Sequence, residues 1–260
     1  MTSLPPPTKV KLGLVIDLDT CVGCHACAVA CKEWNAGGIA GPLTDTQPYG
    51  KDPSGVWFNR VHSYELEATS ACGAGASRQP AQPAQTLHFP RSCLHCETPA
   101  CVTVCPTGAS FKRAEDGIVL VDEDKCIGCG LCAWACPYGA REMSPADGVM
   151  KKCTLCVDRI YNENLPEAER EPACVQVCPT KARHFGDLGD PESKVSKLVA
   201  ERSGVALMPE LGYQPVNRYL PPRPRRAGGE SQVAGDAPAE VLDAATFPTM
   251  LRWLDRVLSR

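Results

Sequence analysis

The sequence predicts a loop-rich α+β fold made of two copies of one cysteine-bearing unit, with a C-terminal tail and helix appended. Three observations predict it. Sixteen of the 17 cysteines fall into four compact groups. Those groups match one another in pairs along the chain, the mark of an internal repeat. Only short apolar runs lie between them, in a chain of 260 residues with 24 prolines and 22 glycines, so neither long helices nor a broad sheet is expected.

The elements follow in order. LGLVID (12–17) is apolar and reads as a short strand. It leads into the first group, Cys21, Cys24, Cys27 and Cys31. VWFNRVHSYEL (56–66) reads as a second strand, and residues 68–85, small, polar and rich in Pro and Gly, as a surface loop. Cys93, Cys96, Cys101 and Cys105 form the second group. GIVLVD (117–122) reads as a strand before the third group, Cys126, Cys129, Cys132 and Cys136. Cys153, Cys156, Cys174 and Cys178 form the fourth, with an expanded middle gap. AVAC and AWAC, which end the first and third groups, read as the first turns of short helices. In the last stretch Phe247, Met250, Leu251, Leu254 and Leu258 stand at helical spacing.

The repeat is visible residue by residue. VIDLDTCVGCHACAVAC (15–31) aligns with LVDEDKCIGCGLCAWAC (120–136), matching Ile16 to Val121, Asp17 to Asp122, Asp19 to Asp124 and Gly23 to Gly128. PACVTVCPT (99–107) aligns with PACVQVCPT (172–180). Cys72 alone stands outside the groups and reads as a spare thiol in a surface loop.

Composition narrows the function classes. The start, MTSLPPPTKVK, shows no apolar signal core and no twin arginine. No apolar run is long enough to span a bilayer. The expected compartment is therefore the reducing cytoplasm, where dense cysteines hold metal more often than disulfides. The formal charge is −3, and no basic run interleaved with aromatics suggests nucleic acid.

The spacing specifies the chemistry. C-x2-C-x2-C sets three thiolates on one tight loop that can wrap three corners of a cubane. In two-cluster ferredoxins with C-x2-C-x2-C-x3-C-P, the fourth cysteine ligates the other cluster, so it should begin a helix and point away. Gly23 and Gly128 permit positive φ between the first two ligands. Pro106, Pro137 and Pro179 fix φ after the last ones. Structural zinc takes two separated C-x2-C pairs, which only the fourth group resembles. CVGCH (21–25) matches a haem attachment signature, but haem there would strand Cys27 and Cys31. His25 and His95 read as bystanders at a loop surface. Spacing permits two pairings of the groups: one with two, or one with four.

The four groups, their order and the widened gap in the fourth resemble the electron-transfer iron–sulfur subunits of the dimethyl sulfoxide reductase superfamily, over roughly residues 10–190. KVSKLVAERSGVALMPELGYQPVNRYLPPR resembles the tail that such subunits carry. CKEWN and DPSGVWFNRVHSYE look closest to the subunit of membrane-bound sulfite dehydrogenases that feed quinone. The resemblance implies duplicated bacterial-type dicluster ferredoxin domains and four [4Fe–4S] clusters. It selects the second pairing: Cys21, Cys24 and Cys27 with Cys178; Cys153, Cys156 and Cys174 with Cys31; Cys93, Cys96 and Cys101 with Cys136; Cys126, Cys129 and Cys132 with Cys105. It implies a molybdopterin-containing catalytic subunit and an integral membrane anchor as partners, with the quinone pool reached indirectly. No catalytic residue is expected in this chain.

The expected organisation is a ferredoxin-like half at 10–67 and 145–190 with groups one and four, and another at 86–144 with groups two and three. The loop at 68–85, a wrapping tail at 191–223, a linker at 224–240 and an amphipathic helix at 241–260 complete it. The expected location is peripheral, on the cytoplasmic face of the inner membrane, or on the periplasmic face if a partner exports the folded subunit. The rival readings are a reductase of dimethyl sulfoxide, polysulfide or tetrathionate run the other way, and a free soluble polyferredoxin. Four oxidised cubanes with their thiolates would carry the chain from −3 to about −11. Cations beside the ligands (Lys32, Arg91, Lys125, Lys151, Lys152 and Lys181) would then favour reduction, and Lys32, directly after Cys31, is expected to tune a cluster.

Overall fold

β1 (Leu12–Asp17) is the centre around which the chain is arranged. The structure is a computed structural model that describes residues 2–35, 56–66 and 85–223. Cys72, the linker at 224–240 and the helix at 241–260 lie outside these residues. After β1 come α1 (Ala26–Asn35), β2 (Asn59–Leu66) and β3 (Gln85–Ser92). α2 (Ala100–Thr103), β4 (Ser110–Lys112), β5 (Val119–Val121) and α3 (Leu131–Trp134) follow. The remainder is β6 (Glu142–Met143), β7 (Met150–Lys151), α4 (Val157–Ile160), α5 (Ala173–Gln176), β8 (Arg183–Asp187), α6 (Lys194–Glu201) and β9 (Arg218–Leu220). None of the helices among the described residues is long and apolar enough to cross a membrane.

β1 runs between β8, antiparallel with Ile16 opposite Arg183, and β9, parallel with Val15 opposite Arg218. Both of its faces are covered. Leu14 and Ile16 pack into the main core, and Val15 packs with Val195 of α6 and Leu220 of β9. A strand buried on both faces needs a continuous apolar run, which is what LGLVID supplies. β4 and β5 form the matching antiparallel pair, with Ser110 opposite Val121. In each pair a strand entering a C-x2-C-x2-C loop lies beside the strand that leaves a Cys-Pro. Only three residues of GIVLVD become strand, because β4 offers only three partners.

β2 and β3 form an eight-residue antiparallel ladder from Asn59 opposite Ser92 to Leu66 opposite Gln85. Their sequences come from opposite sides of the expected loop at 68–85, whose last residue is already strand. This ladder therefore ties the two cysteine-bearing halves of the sequence together.

The tail ties them a second time. Thr98 and Glu97 donate backbone N–H groups to Tyr213 and Gln214, and Val216 donates to Leu94. Asn217 is fully buried; its Oδ1 accepts from Leu14 N at 2.8 Å and its Nδ2 donates to Cys93 O at 3.1 Å. One side chain thus joins the first strand to the second cysteine group. Arg202 reaches Asp17 at 3.0 Å and Arg223 reaches Asp19 at 2.6 Å, fastening the tail to the loop before Cys21. The Arg223 guanidinium holds the Asp19 carboxyl below its ordinary range. Phe89 stacks on Tyr219 at 4.5 Å, and the Tyr219 hydroxyl donates to Pro90 O.

The helices around the cysteines begin earlier than expected. Cys31 sits in the second half of α1 rather than at its start, and Cys136 follows the end of α3. It is Cys27 and Cys132, the third members of their groups, that lie in the first turns.

Candidate metal centres

The loops that carry the cysteines are shaped locally. Gly23 and Gly128 both have φ of +67°. A Cβ on Gly23 would stand 2.4 Å from the His88 ring, and one on Gly128 would stand 2.5 Å from Gly148 O. Each glycine is thus required by its conformation and by its neighbour. The loops then turn directly into α1 and α3. α1 packs on α5 and α2 on α3, so the first group meets the fourth and the second meets the third.

Four sets of four thiols result. Cys21, Cys24, Cys27 and Cys178 line one cavity, with Val61 and Arg183 in its wall. Cys126, Cys129, Cys132 and Cys105 line another, with Ser110 and Arg141. Burial pushes the Cys31 thiol well up, and Cys153, Cys174 and Cys156 around it push it further. Asn35 marks the same meeting point: its Nδ2 lies 3.4 Å from Cys156 Sγ and 3.8 Å from Cys31 Sγ. Burial also raises Cys96, followed by the effects of Cys93, Cys101 and Cys136.

The sets adjoin one another in a row. Cys174 is raised to about 11 by burial, against the pull of Arg183 and reinforced by Cys156 and by Cys27 of the first set. Cys153 is pushed to about 12 by burial, with Lys152 opposing and Cys93 of the next set adding. Cys132 is raised by burial, lowered by Arg141, and raised again by Cys101 and Cys105. The row runs from the Cys21 set through the Cys31 and Cys93 sets to the Cys126 set. Its ends reach the surface at Cys24 and Cys129, while every thiol of the Cys31 set is buried.

Several donors already point at sulfur. Ala182 N lies 3.2 Å from Cys178 Sγ, Ser110 N 3.3 Å from Cys105 Sγ, and Met150 N 3.4 Å from Cys126 Sγ. At Cys105 burial raises the thiol, but the hydrogen bonds from Ser110 and Thr107 outweigh it and hold the thiol below its ordinary range. Arg141 Nη1, Arg183 Nε and His95 Nε2 are buried beside the sets without an acceptor among the described residues. A buried donor needs a partner. Four soft thiolates, an enclosed space and waiting donors fit an iron–sulfur cluster, whose sulfides accept such hydrogen bonds.

The comparisons with known proteins agree. A "4Fe-4S dicluster domain" family matches residues 84–188 and a "4Fe-4S binding domain" family matches 12–33. The chain is 56% identical to a subunit of the sulfite dehydrogenase of Allochromatium vinosum, over 83% of this chain and 85% of that one. It is 36% identical to a putative dimethyl sulfoxide reductase iron–sulfur subunit of Halobacterium salinarum, over 80% and 78% of the two chains. With a polypeptide of the polysulfide reductase of Wolinella succinogenes it shares 37% identity, over 85% and 98%. The chain belongs to the iron–sulfur subunits of the dimethyl sulfoxide reductase superfamily. It is an iron–sulfur electron-transfer subunit of an oxidoreductase.

Within this subunit the flanking cations separate. Lys32 Nζ donates to Val56 O at 2.9 Å and stands 5.6 Å over the Trp57 ring. Lys125 pairs with Asp122 at 2.6 Å, and Lys151 with Glu123 and Asp147 at 3.0 Å each. Lys152 is buried, with its Nζ on Cys153 O.

One expectation is overturned and two residues are new. His95 is not at a loop surface; it is fully buried, and its Nδ1 accepts from Val119 N at 3.2 Å. Burial holds its imidazole well below the ordinary range, reinforced by Lys152, Arg141 and Lys112. Arg141 and Arg183, unnoticed in the sequence, place guanidinium nitrogens 3.0 Å from Cys101 Sγ and 3.5 Å from Cys174 Sγ. Their signal was present: CPYGAR (136–141) and CPTKAR (178–183) put an arginine five residues after the last cysteine of both groups.

Proposed function

We propose that this subunit holds four [4Fe–4S] clusters, one in each cysteine set, and carries electrons between a molybdopterin-containing catalytic subunit and a quinone-reactive membrane anchor during sulfite oxidation. The observation that carries the reading is the row of four thiol sets, buried in the middle and reaching the surface at both ends. A bound [4Fe–4S] cluster supplies one-electron redox chemistry. The protein's part is to hold each site next to the following one, exclude water from the middle of the row and set the local charge. The ligands are those implied by the family resemblance: Cys21, Cys24, Cys27 and Cys178; Cys31, Cys153, Cys156 and Cys174; Cys93, Cys96, Cys101 and Cys136; Cys105, Cys126, Cys129 and Cys132. Both ends carry exposed apolar side chains suited to partners. Val22 and Val29 flank the first set. Ile127, Leu131 and Trp134 flank the last, where Trp134 is 89% exposed. The subunit sits peripherally on the cytoplasmic face of the inner membrane, or on the periplasmic face if exported with a partner.

Sulfite is favoured as the catalytic partner's substrate because the relative sharing 56% identity is a sulfite dehydrogenase subunit, whereas the reductase relatives share 35–37%. EPR of anaerobic membranes containing the protein tests this. Sulfite is expected to reduce the clusters and quinone to reoxidise them. Clusters left oxidised by sulfite but reduced by quinol would instead assign the subunit to a reductase of dimethyl sulfoxide, polysulfide or tetrathionate. A free polyferredoxin would elute near its own mass from membrane extracts, without partners.

Lys32 also contributes to this reading, one residue beyond Cys31. Its ammonium is half-buried and engaged with Val56 and Trp57, so its effect on the Cys31 set acts through space. An exposed charge is worth up to about 1 kcal/mol, or about 40 mV for one electron. Lys32→Ala is expected to lower one cluster potential by no more than about that amount, read by potentiometric titration. Unmoved potentials would remove Lys32 from the account.

A further inference from the structure

Two guanidinium groups are buried among the thiols with no carboxylate paired to either among the described residues. Arg183 places Nη1 3.5 Å from Cys174 Sγ and Nη2 2.7 Å from Asn59 Oδ1. Arg141 places Nη2 3.0 Å from Cys101 Sγ and 2.7 Å from Ser110 Oγ. Arg183 also lines the cavity of the Cys21 set together with Cys27. Arg141 also lines the cavity of the Cys126 set together with Cys132. Each arginine thus stands where the two sets of one half of the row meet.

The two placements are equivalent although the residues come from different groups. Arg183 lies opposite Ile16 across β8 and β1, and Ser110 lies opposite Val121 across β4 and β5. Ile16 and Val121 are matching positions of the repeat, so Ser110 occupies in one half the place that Arg183 occupies in the other. Arg141 fills that place by hydrogen-bonding to Ser110. Each half therefore contains one guanidinium at the junction of its two sets, delivered in one half by the fourth group and in the other by the third.

A guanidinium cannot shed its proton, and a buried charge without a counter-charge is strongly unfavourable. Neutral thiols do not offset it. Thiolates around an anionic cluster do, and cluster sulfides would accept from Arg183 Nε and Arg141 Nη1, the donors without partners. We propose that Arg183 and Arg141 are positioning residues for electron transfer, each a shared counter-charge for the two clusters of its half. This rests on the reading that the sets hold clusters. Reduction adds negative charge, so a fixed cation between two clusters raises both potentials. It also offsets the repulsion that an electron on one cluster exerts on an electron entering the next. Both neighbours can then be reduced together.

The test uses the intact complex purified from membranes, with iron and labile sulfide measured before a potentiometric EPR titration. In Arg183→Gln the midpoints of the Cys21 and Cys31 sets are both expected to fall, while the other two stay in place. Arg141→Gln is expected to do the same to the Cys93 and Cys126 sets and to leave the first two. Lysine at either position retains the charge and is expected to return the midpoints towards those of the unaltered protein. Fully loaded glutamine variants with unmoved midpoints would overturn the proposal. So would lysine variants that lose clusters as the glutamine variants do, since that marks a purely structural role. Unaltered protein lacking iron and sulfide would instead remove the cluster reading itself.

Discussion

Stripping iron from the protein with a chelator under anaerobic reducing conditions will unfold residues 15–185. Eight of the sixteen grouped cysteines are themselves buried members of the core, among them Cys27, Cys31, Cys153 and Cys174. Among the described residues the sheets around them are slight: one of three strands and three of two. Two-stranded units are marginal by themselves. Metal in small domains supplies about 10–16 kcal/mol of binding energy that is also folding energy, as large as the entire stability of an ordinary domain, about 5–15 kcal/mol. Without metal, the buried sulfurs leave voids lined by Arg141 and Arg183, two charges with nothing to offset them. Far-ultraviolet circular dichroism and proteolysis check this. An apo form that keeps near-native secondary structure and resists protease would show that the β2–β3 ladder and the tail suffice.

Cys174→Ser will cut the row in its middle. Cys174 belongs to the fully buried set, lies beside Arg183 and adjoins Cys27 of the outer set. Loss of that cluster lowers iron from about 16 to about 12 per chain and leaves the outer set without a near neighbour. Tunnelling falls exponentially with distance, so transfer between the partner subunits is expected to drop by orders of magnitude, while the catalytic partner still turns over with an artificial electron acceptor. Stopped-flow reduction by sulfite, with the Cys21 and Cys126 sets followed separately, measures the loss: the end set farther from the electron's point of entry is expected to lag. A variant that lacks the cluster yet conducts at the original rate would show that electrons bypass the Cys31 set, and the proposed order would be wrong.

Much of the site was legible because C-x2-C-x2-C is a local instruction. Three ligands, the glycine between the first two and the turn into α1 or α3 all lie within a few residues, so the pattern carries its own geometry. LGLVID was legible for a similar reason, as a strand covered on both faces must be apolar throughout. GIVLVD was less so, since its strand extends only as far as its three-residue partner β4. Lys32 shows what adjacency leaves open. A residue next to a ligand in a helix points about 100° away from it, and Lys32 accordingly reaches Val56 and Trp57. His95 shows the opposite. A polar residue in a cysteine loop ordinarily faces water, but here Val119 N–H comes to it from β5.

By itself the sequence determined the kind of ligand, the number of cysteine groups and the shape of each loop, because these depend on residues a turn apart. It also held, unread, the matched arginines of CPYGAR and CPTKAR. Their importance depends on burial, which no local pattern records. Which groups meet was implied only by the family resemblance, spacing having left two pairings open; the tertiary structure alone decided in what row the sets stand and which cations sit between them. Those relations join residues far apart in the chain. They follow from β1 lying against β8, β4 against β5 and β2 against β3, and from Asn217 holding Leu14 and Cys93 at once.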